Sequence, residues 1–280
     1  MIIIKQLHVL QEFVSRQRAS GLVSGFVPTM GALHAGHLDL VSFSRSQCGL
    51  TVVSIFVNPT QFNDPGDYKK YPQTLEKDIR LLEQSLADVL FLPEADVLYP
   101  GGYGELETYQ LGYLETILEG KFRPGHFQGV CQVMSRLLKL VCPDKLFMGQ
   151  KDYQQCMVVR KLLEYLDCNI ELIKCPTVRE FDGLAMSSRN MRLTSAQRAI
   201  APLIFKTLKE AAGNIGAVNF ADIRQQAITT LEQHGFRPDY FEIADAATLE
   251  PATQAGDGQL VLLVAAFLGE IRLIDNLLTA

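Results

Sequence analysis

The chain has 280 residues, 48% hydrophobic and 20% charged, and its 26 basic against 31 acidic side chains give a net charge of −5 and a pI near 5.6. That composition excludes a disordered, collagen-like or small disulfide-scaffold protein, and it argues against a nucleic-acid binder held by bulk positive charge. A chain this long buries well over half its surface, and at ~150 residues per domain its length suits about two domains.

The opening segment MIIIKQLHVLQEF is interrupted by Lys5 and has no small-residue cleavage site after a sustained apolar stretch, so no leader is expected and the protein is placed in the cytoplasm. Ser24 to Pro28 reads as a first buried strand. It runs through Pro28-Thr-Met-Gly-Ala-Leu-His34-Ala-Gly36-His37 into a helix from about Gly36 to Cys48. A second strand follows at Leu50 to Val57, then a helix with Leu75, Ile79 and Leu82 on one face, then a strand at Val89 to Leu92. Val130, Val133, Met134, Leu137, Leu138 and Val141 share the face of a longer helix that Pro143 ends. Leu146 to Met148 and Ile170 to Cys175 complete the alternation of strand and helix that marks a Rossmann-like, doubly wound parallel sheet.

Past Cys175 the pattern changes. Two helical segments follow each other, the first opening on a candidate capping box at Thr194 and Gln197. Strands then come without helices between them, at Asp239 to Ala244, Gln259 to Phe267 and Ile271 to Asn276, with turn-rich segments such as QAGDG separating them. The expected division is therefore an α/β domain over 1–175 and a smaller α+β domain over 176–280. Leu260 to Leu268 is the longest apolar run and has half the ~20 residues of a membrane span, so no membrane segment is expected. The six cysteines form no CxxC pair and read as reduced, buried small hydrophobes with no metal site.

Chemistry concentrates at the strand ends. His34 and His37 flank Gly36 at a helix start, where unpaired first-turn N–H groups and the helix dipole favour a phosphate. Standing alone, that string is better explained by a capped helix start with two surface histidines; its position directly after the first strand favours the phosphate site. Ala185-Met186-Ser187-Ser188-Arg189-Asn190 offers two hydroxyls and a guanidinium fork suited to phosphate oxygens, although a plain polar loop has the same residues. Gly149-Gln150-Lys151-Asp152-Tyr153-Gln154-Gln155 follows a strand, on the ligand edge of an open α/β sheet. Val57-Asn58-Pro59-Thr60-Gln61-Phe62 is placed similarly and carries uncharged amides suited to hydroxyl and carboxylate recognition. Arg123-Pro124-Gly125-His126-Phe127 precedes the apolar helix and can hold an anion, or simply start that helix.

The paired HxGH and AMSSRN strings match the two-part nucleotide site of the HIGH/KMSKS nucleotidyltransferase superfamily. PTMGALHAGH, IFVNPTQF, FRPGHFQGV, GQKDYQQ and AMSSRN, in this order, resemble the pantothenate synthetase (pantoate–β-alanine ligase) family almost from end to end, and DYFEIADAATLEP and the terminal RLIDN extend the likeness. Met148 departs from it, standing where that family usually has an aromatic residue.

The resemblance implies ATP-dependent condensation of pantoate with β-alanine through a pantoyl adenylate, with Mg²⁺ accompanying ATP and its direct ligands unassigned. It implies catalytic roles for His34, His37, Lys151, Ser187, Ser188 and Arg189, with His37 either donating a proton or stabilising charge. Met30, Gly31, Ala32, Leu33, His34, Ala35, Gly36 and His37 would line the ATP site. Gly149, Gln150, Lys151, Asp152, Val178, Met186, Ser187, Ser188 and Arg189 would complete it. Gln61 and Gln155 would hold pantoate, with Asn58, Arg123 and His126 as further contacts to pantoate or β-alanine. The second domain would act as a lid, and the protein would be a homodimer.

An adenylyltransferase of the same superfamily acting on a phosphate monoester is the alternative enzyme; neutral Gln61 and Gln155 argue against it. A degenerate module binding RNA or a partner is opposed by the acidic charge and the intact HxGH string.

Overall fold

The computed structural model describes residues 1–256 and 258–279; Asp257 of the expected QAGDG turn and Ala280, which ends the expected second domain, lie outside the described residues. The chain divides into two compact units, Met1–Gln150 with Gln154–Pro176, and Lys151–Tyr153 with Thr177–Ala280.

In the first unit, strands β1 (Ile2–Ile4), β2 (Ser24–Thr29), β3 (Leu50–Ile55), β4 (Val89–Phe91), β5 (Lys145–Gly149) and β6 (Glu171–Cys175) form one parallel sheet in the order β1-β4-β3-β2-β5-β6. Helices α1 (Leu7–Ala19), α2 (Ala35–Gln47), α3 (Pro65–Lys69), α4 (Leu75–Gln84), α5 (Ala95–Leu98), α6 (Leu118–Phe122), α7 (His126–Val141) and α8 (Tyr153–Tyr165) make the connections. Every residue of β3 and β4 is buried. That is why β4 reads as a continuous apolar run and β3 as one broken only by Thr51 and Ser54, with no polar–apolar alternation in either.

β1 and α1 are additions to the expected elements: a three-residue apolar run is too short to reveal a strand until β4 supplies its pairs, Ile2 with Val89 and Ile4 with Phe91. β3 stops at Ile55, short of the expected Val57, and a 3-10 turn over Pro59–Gln61 follows it. β2 is bonded to β3 on one side and to β5 on the other. The chain order reverses between β2 and β5, so a ligand crevice is expected beyond their carboxyl ends, where the His34 and Gly149 motifs begin.

Asp144 fastens the start of β5 to β2. Its Oδ2 accepts the Ser24 amide at 2.7 Å and the Ser24 hydroxyl at 2.8 Å. Burial works against the Asp144 carboxylate, but the Ser24 donors and Arg18 overcome it and hold its pKa below the ordinary range. A depressed carboxyl stabilises the fold above its unfolded pKa of ~3.9, and that contribution is lost as pH falls through the folded value. Asp144→Ala should therefore cost about 1–2 kcal/mol at neutral pH, measured by denaturant melts, with the gap from the parent closing below about pH 4.

The second unit places β7 (Phe236–Asp245), β8 (Leu260–Leu268) and β9 (Ile271–Leu278) in an antiparallel sheet of order β7-β8-β9, packed against α10 (Leu203–Gly213) and α11 (Phe220–Gln233). The capping box forms at α9 (Ser195–Ile200): Thr194 Oγ1 accepts from the Gln197 amide at 3.2 Å and Gln197 Oε1 accepts from the Thr194 amide at 2.9 Å. Three helices stand where two are expected. Pro202, which lacks an amide hydrogen, separates α9 from α10.

Among the cysteines, Cys131, Cys156 and Cys175 are buried, but Cys48 and Cys168 are half-buried and Cys142 is exposed, which corrects the expectation of uniform burial. Met148 is buried, at 6% exposure, on β5. No helix among the described residues is long and apolar enough to cross a membrane.

Candidate active site

The two histidines of the HxGH string cap α2 with their own rings. His34 Nδ1 accepts the Gly36 amide at 3.2 Å, and His37 Nδ1 accepts the His34 amide at 3.4 Å, closing a reciprocal capping box. An Nδ1 that accepts cannot carry a proton, so each neutral ring holds its hydrogen on Nε2 and is a donor there. The rings lie 4.1 Å apart, centroid to centroid, and both residues are half-buried. The helix start is thus supplied with two imidazole N–H donors of fixed tautomer, close to its dipole.

The preceding loop has unusual backbone geometry. Gly31 has φ +78° and Ala32 has φ +49°, two successive residues in the left-handed region, where a side chain is disfavoured. Asp78 of α4 holds this shape. Its two carboxylate oxygens accept the Ala32 and Leu33 amides at 2.9 Å each, and Thr74 donates its hydroxyl to Oδ1 at 3.0 Å. Asp78 is 1% exposed. Sequence reasoning missed it, because an acid in the first turn of an amphipathic helix has an ordinary explanation in the helix dipole.

The loop after β3 folds over the start of α7. Gly129 permits this approach: a Cβ there would lie 2.2 Å from the Thr60 carbonyl oxygen. Asn58, 1% exposed, donates Nδ2 to the Gly129 carbonyl at 3.1 Å and to Gln61 Oε1 at 3.3 Å, while its Oδ1 accepts the Tyr99 hydroxyl at 2.8 Å. These bonds occupy the amide, so Asn58 shapes the wall that carries Gln61. Gln61 Nε2 approaches the Met30 sulfur at 2.8 Å, a weak acceptor that a better one can replace.

His126 and Arg123 meet beside the same turn. Arg123 Nη1 lies 3.0 Å from His126 Nε2, and His126 Nδ1 lies 2.7 Å from the Gln61 carbonyl oxygen. A guanidinium only donates, so His126 accepts through Nε2 and donates from Nδ1. Glu119 is 3.5 Å from Arg123. The neighbouring glutamines on α8 are distinguished by their surroundings. Gln154 is buried and used by the fold, bonding the Leu114 and Ile117 carbonyls and the Glu119 amide at 2.8, 3.1 and 2.9 Å. Gln155 is half-buried and has no side-chain partner among the described residues, which leaves its amide for a ligand.

The first unit therefore brings together Met30–His37, Asn58, Gln61, Arg123 and His126 around the ends of β2 and β3, with Gly149 and Gln150 at the end of β5. Lys151, Asp152, Val178 and Met186–Arg189 belong to the second unit. There Lys151 Nζ lies 3.7 Å from Asp152, and Ser187 caps a 3-10 helix over Ser188–Arg192 by accepting the Arg189 amide at 3.3 Å. Val178 and Met186 face each other across a hairpin, the Met186 amide donating to the Val178 carbonyl at 3.0 Å. Among the described residues no three His, Cys, Asp or Glu side chains cluster as metal ligands.

Residues 2–278 match the family model described as pantoate-beta-alanine ligase. A pantothenate synthetase of Bacteroides thetaiotaomicron is 43% identical over 281 residues, covering 99% of this chain and 98% of the relative. One from Pseudomonas fluorescens is 46% identical over 276 residues, covering 98% and 96%. The crystal structure of pantothenate synthetase from Thermus thermophilus superposes with a TM-score of 0.91 at 40% identity, covering 99% of each chain. A pantoate-beta-alanine ligase from Francisella tularensis, solved with beta-gamma ATP and beta-alanine, gives a TM-score of 0.82 at 36% identity, covering 99% of this chain and 97% of that one.

Proposed function

This chain belongs to the pantoate–β-alanine ligase family, and from that premise we propose how its residues divide the work of the reaction. The enzyme condenses pantoate with β-alanine at the expense of ATP, giving pantothenate, AMP and pyrophosphate. In our reading the pantoate carboxylate attacks the α-phosphate of ATP and expels pyrophosphate. The β-alanine amine then attacks the acyl carbon of the resulting pantoyl adenylate and releases AMP. The observation that carries this reading is the pair of tautomer-fixed imidazoles at the start of α2.

Charge builds on the α-phosphate and on the leaving pyrophosphate, and fixed donors aimed at developing charge are each worth about 10²–10³ in rate. His34 and His37 fit that role as Nε2–H donors. A neutral imidazole is a very weak acid, so charge stabilisation suits His37 better than proton donation. Lys151, Ser187, Ser188 and Arg189 are assigned to the phosphates, Val178 and Met186 to the adenine end, and Gly149, Gln150 and Asp152 to the ribose side. Gln61 and Gln155 are assigned to pantoate, Arg123 and His126 to the carboxylates of pantoate or β-alanine, and Asn58 to orienting Gln61.

Mg²⁺ would fit this donor set as an ion carried by the nucleotide, where it would neutralise phosphate charge, since Asp152 is the single acid among the assigned groups. Shielding the adenylate from water is the chemical reason to read the domain expected over 176–280 as a lid. Free thiols at all six cysteines accord with a reducing cytoplasm, and a homodimer is the expected assembly.

The test is pyrophosphate release with ATP, Mg²⁺ and pantoate alone. A burst stoichiometric with enzyme is expected, followed by turnover only after β-alanine is added. Pyrophosphate that never depends on pantoate would overturn the proposal. A phosphate-monoester adenylyltransferase would show no response to β-alanine.

A further inference from the structure

The terminal RLIDN string has no part in the assignments above, yet it ends in buried polar side chains. Asp275 and Asn276 on β9 are 3% and 2% exposed. Asp275 takes a two-pronged contact from Arg179, with Nη1 to Oδ2 at 2.6 Å and Nη2 to Oδ1 at 3.0 Å. The same guanidinium donates to the Gly183 carbonyl at 3.1 Å and the Asn276 carbonyl at 3.3 Å, and lies 3.5 Å from the centre of the Phe205 ring. Planarity, aromatic stacking and a carboxylate fork fix an arginine in place more tightly than one contact would.

Arg179 lies one residue inside the hairpin that closes through Glu180 N to Leu184 O at 2.8 Å and Met186 N to Val178 O at 3.0 Å. That hairpin carries Val178 at one end and Met186, before Ser187, at the other. Asn276 reaches a separate piece of chain: its Nδ2 donates to the main-chain carbonyl of Lys151 at 2.9 Å. Tyr153 adds a second clasp through its hydroxyl to the Ala246 carbonyl at 2.7 Å.

We infer that Asp275 and Asn276 are positioning residues for ATP, Asp275 setting the Val178–Met186 hairpin through Arg179 and Asn276 setting Lys151 through its carbonyl. This rests on the assignment of Lys151 and the hairpin to the nucleotide. Desolvation pushes the Asp275 carboxyl up, and the Arg179 guanidinium opposes it, so the pair depends on both members.

The experiment compares KM for ATP with KM for β-alanine in Asn276→Ala, Arg179→Lys, Lys151→Ala and the Asn276→Ala/Lys151→Ala double variant, with melting temperatures alongside. Asn276→Ala should raise KM for ATP about fivefold, the factor of one lost hydrogen bond, with KM for β-alanine within about twofold of the parent. In the Lys151→Ala background the same change should add nothing, because no side chain remains to be placed. Arg179→Lys keeps a charge beside Asp275 but loses the fork, and it should also raise KM for ATP; this arm decides if Asn276→Ala does not fold. Parental KM for ATP in folded Asn276→Ala and Arg179→Lys, with Lys151→Ala impaired, overturns the inference and spares the site assignment. Parental KM in Lys151→Ala overturns both. A full Asn276→Ala effect persisting without Lys151 also overturns the inference.

Discussion

Replacing His37 with alanine should slow pantoate-dependent pyrophosphate release about 10²–10³-fold in single-turnover measurements, while far-ultraviolet circular dichroism stays native. The ring has two tasks and only one concerns the reaction. Its Nδ1 accepts the His34 amide, a cap worth about 1 kcal/mol, so a small drop in melting temperature accompanies the loss of rate. In the proposed mechanism its Nε2–H is the donor offered to charge that forms as pyrophosphate leaves. His37→Gln separates this role from acid catalysis: a glutamine keeps an N–H donor and cannot transfer a proton. Recovery of part of the rate by His37→Gln supports charge stabilisation. No recovery, with a parental rate that falls as pH rises through a single ionisation, would return His37 to the role of acid.

Asp78→Asn should destabilise the protein by about 3 kcal/mol in urea melts and raise KM for ATP well above its effect on KM for β-alanine. The carboxylate accepts the Ala32 amide, the Leu33 amide and the Thr74 hydroxyl, and it sits among groups that only donate toward it. An asparagine turns an N–H toward one of those donors. Each charge-assisted bond is worth ~1.5–3 kcal/mol, and the left-handed backbone at Gly31 and Ala32 is then held by less. Thr74→Val removes a single donor and should move both quantities the same way by a smaller amount. Equal effects on the two Michaelis constants would mean that Asp78 supports the fold without shaping the nucleotide loop.

Much of the sheet is legible in the sequence because a parallel strand buried on both faces must be apolar throughout. β4 meets that condition and β3 departs from it only at Thr51 and Ser54, so both are readable, whereas β1 is three residues long and becomes a strand only through its pairing with β4. The helix at Val130–Val141 is readable from its period, whereas the burial of His126 and Gly129 in its first turn is not, since it comes from the Pro59–Gln61 turn, with His126 meeting the Gln61 carbonyl and Gly129 lying against Thr60. Among the candidate site residues, types carry information about chemistry and little about division of labour. Asn58 and Gln61 look alike in sequence, and so do Gln154 and Gln155. Only the bonds around each amide separate a wall residue from one able to meet a ligand. Asp78 and Asp275 are illegible for the same reason: a buried acid is defined by the donors that converge on it, and those come from distant parts of the chain.

The placement of Lys151–Tyr153 with the second unit makes that unit discontinuous along the chain. A fragment cut at Thr177 would lack the lysine carbonyl that Asn276 binds and the tyrosine hydroxyl that meets Ala246. Its buried polar groups would face an empty place, so the C-terminal portion is not a transferable module. A chimaera joining the halves of two relatives at one crossover after Pro176 would inherit this tripeptide from one parent and its sockets from the other. Exchange of the C-terminal unit between relatives thus needs three junctions, at 150/151, 153/154 and 176/177, to carry a matched set.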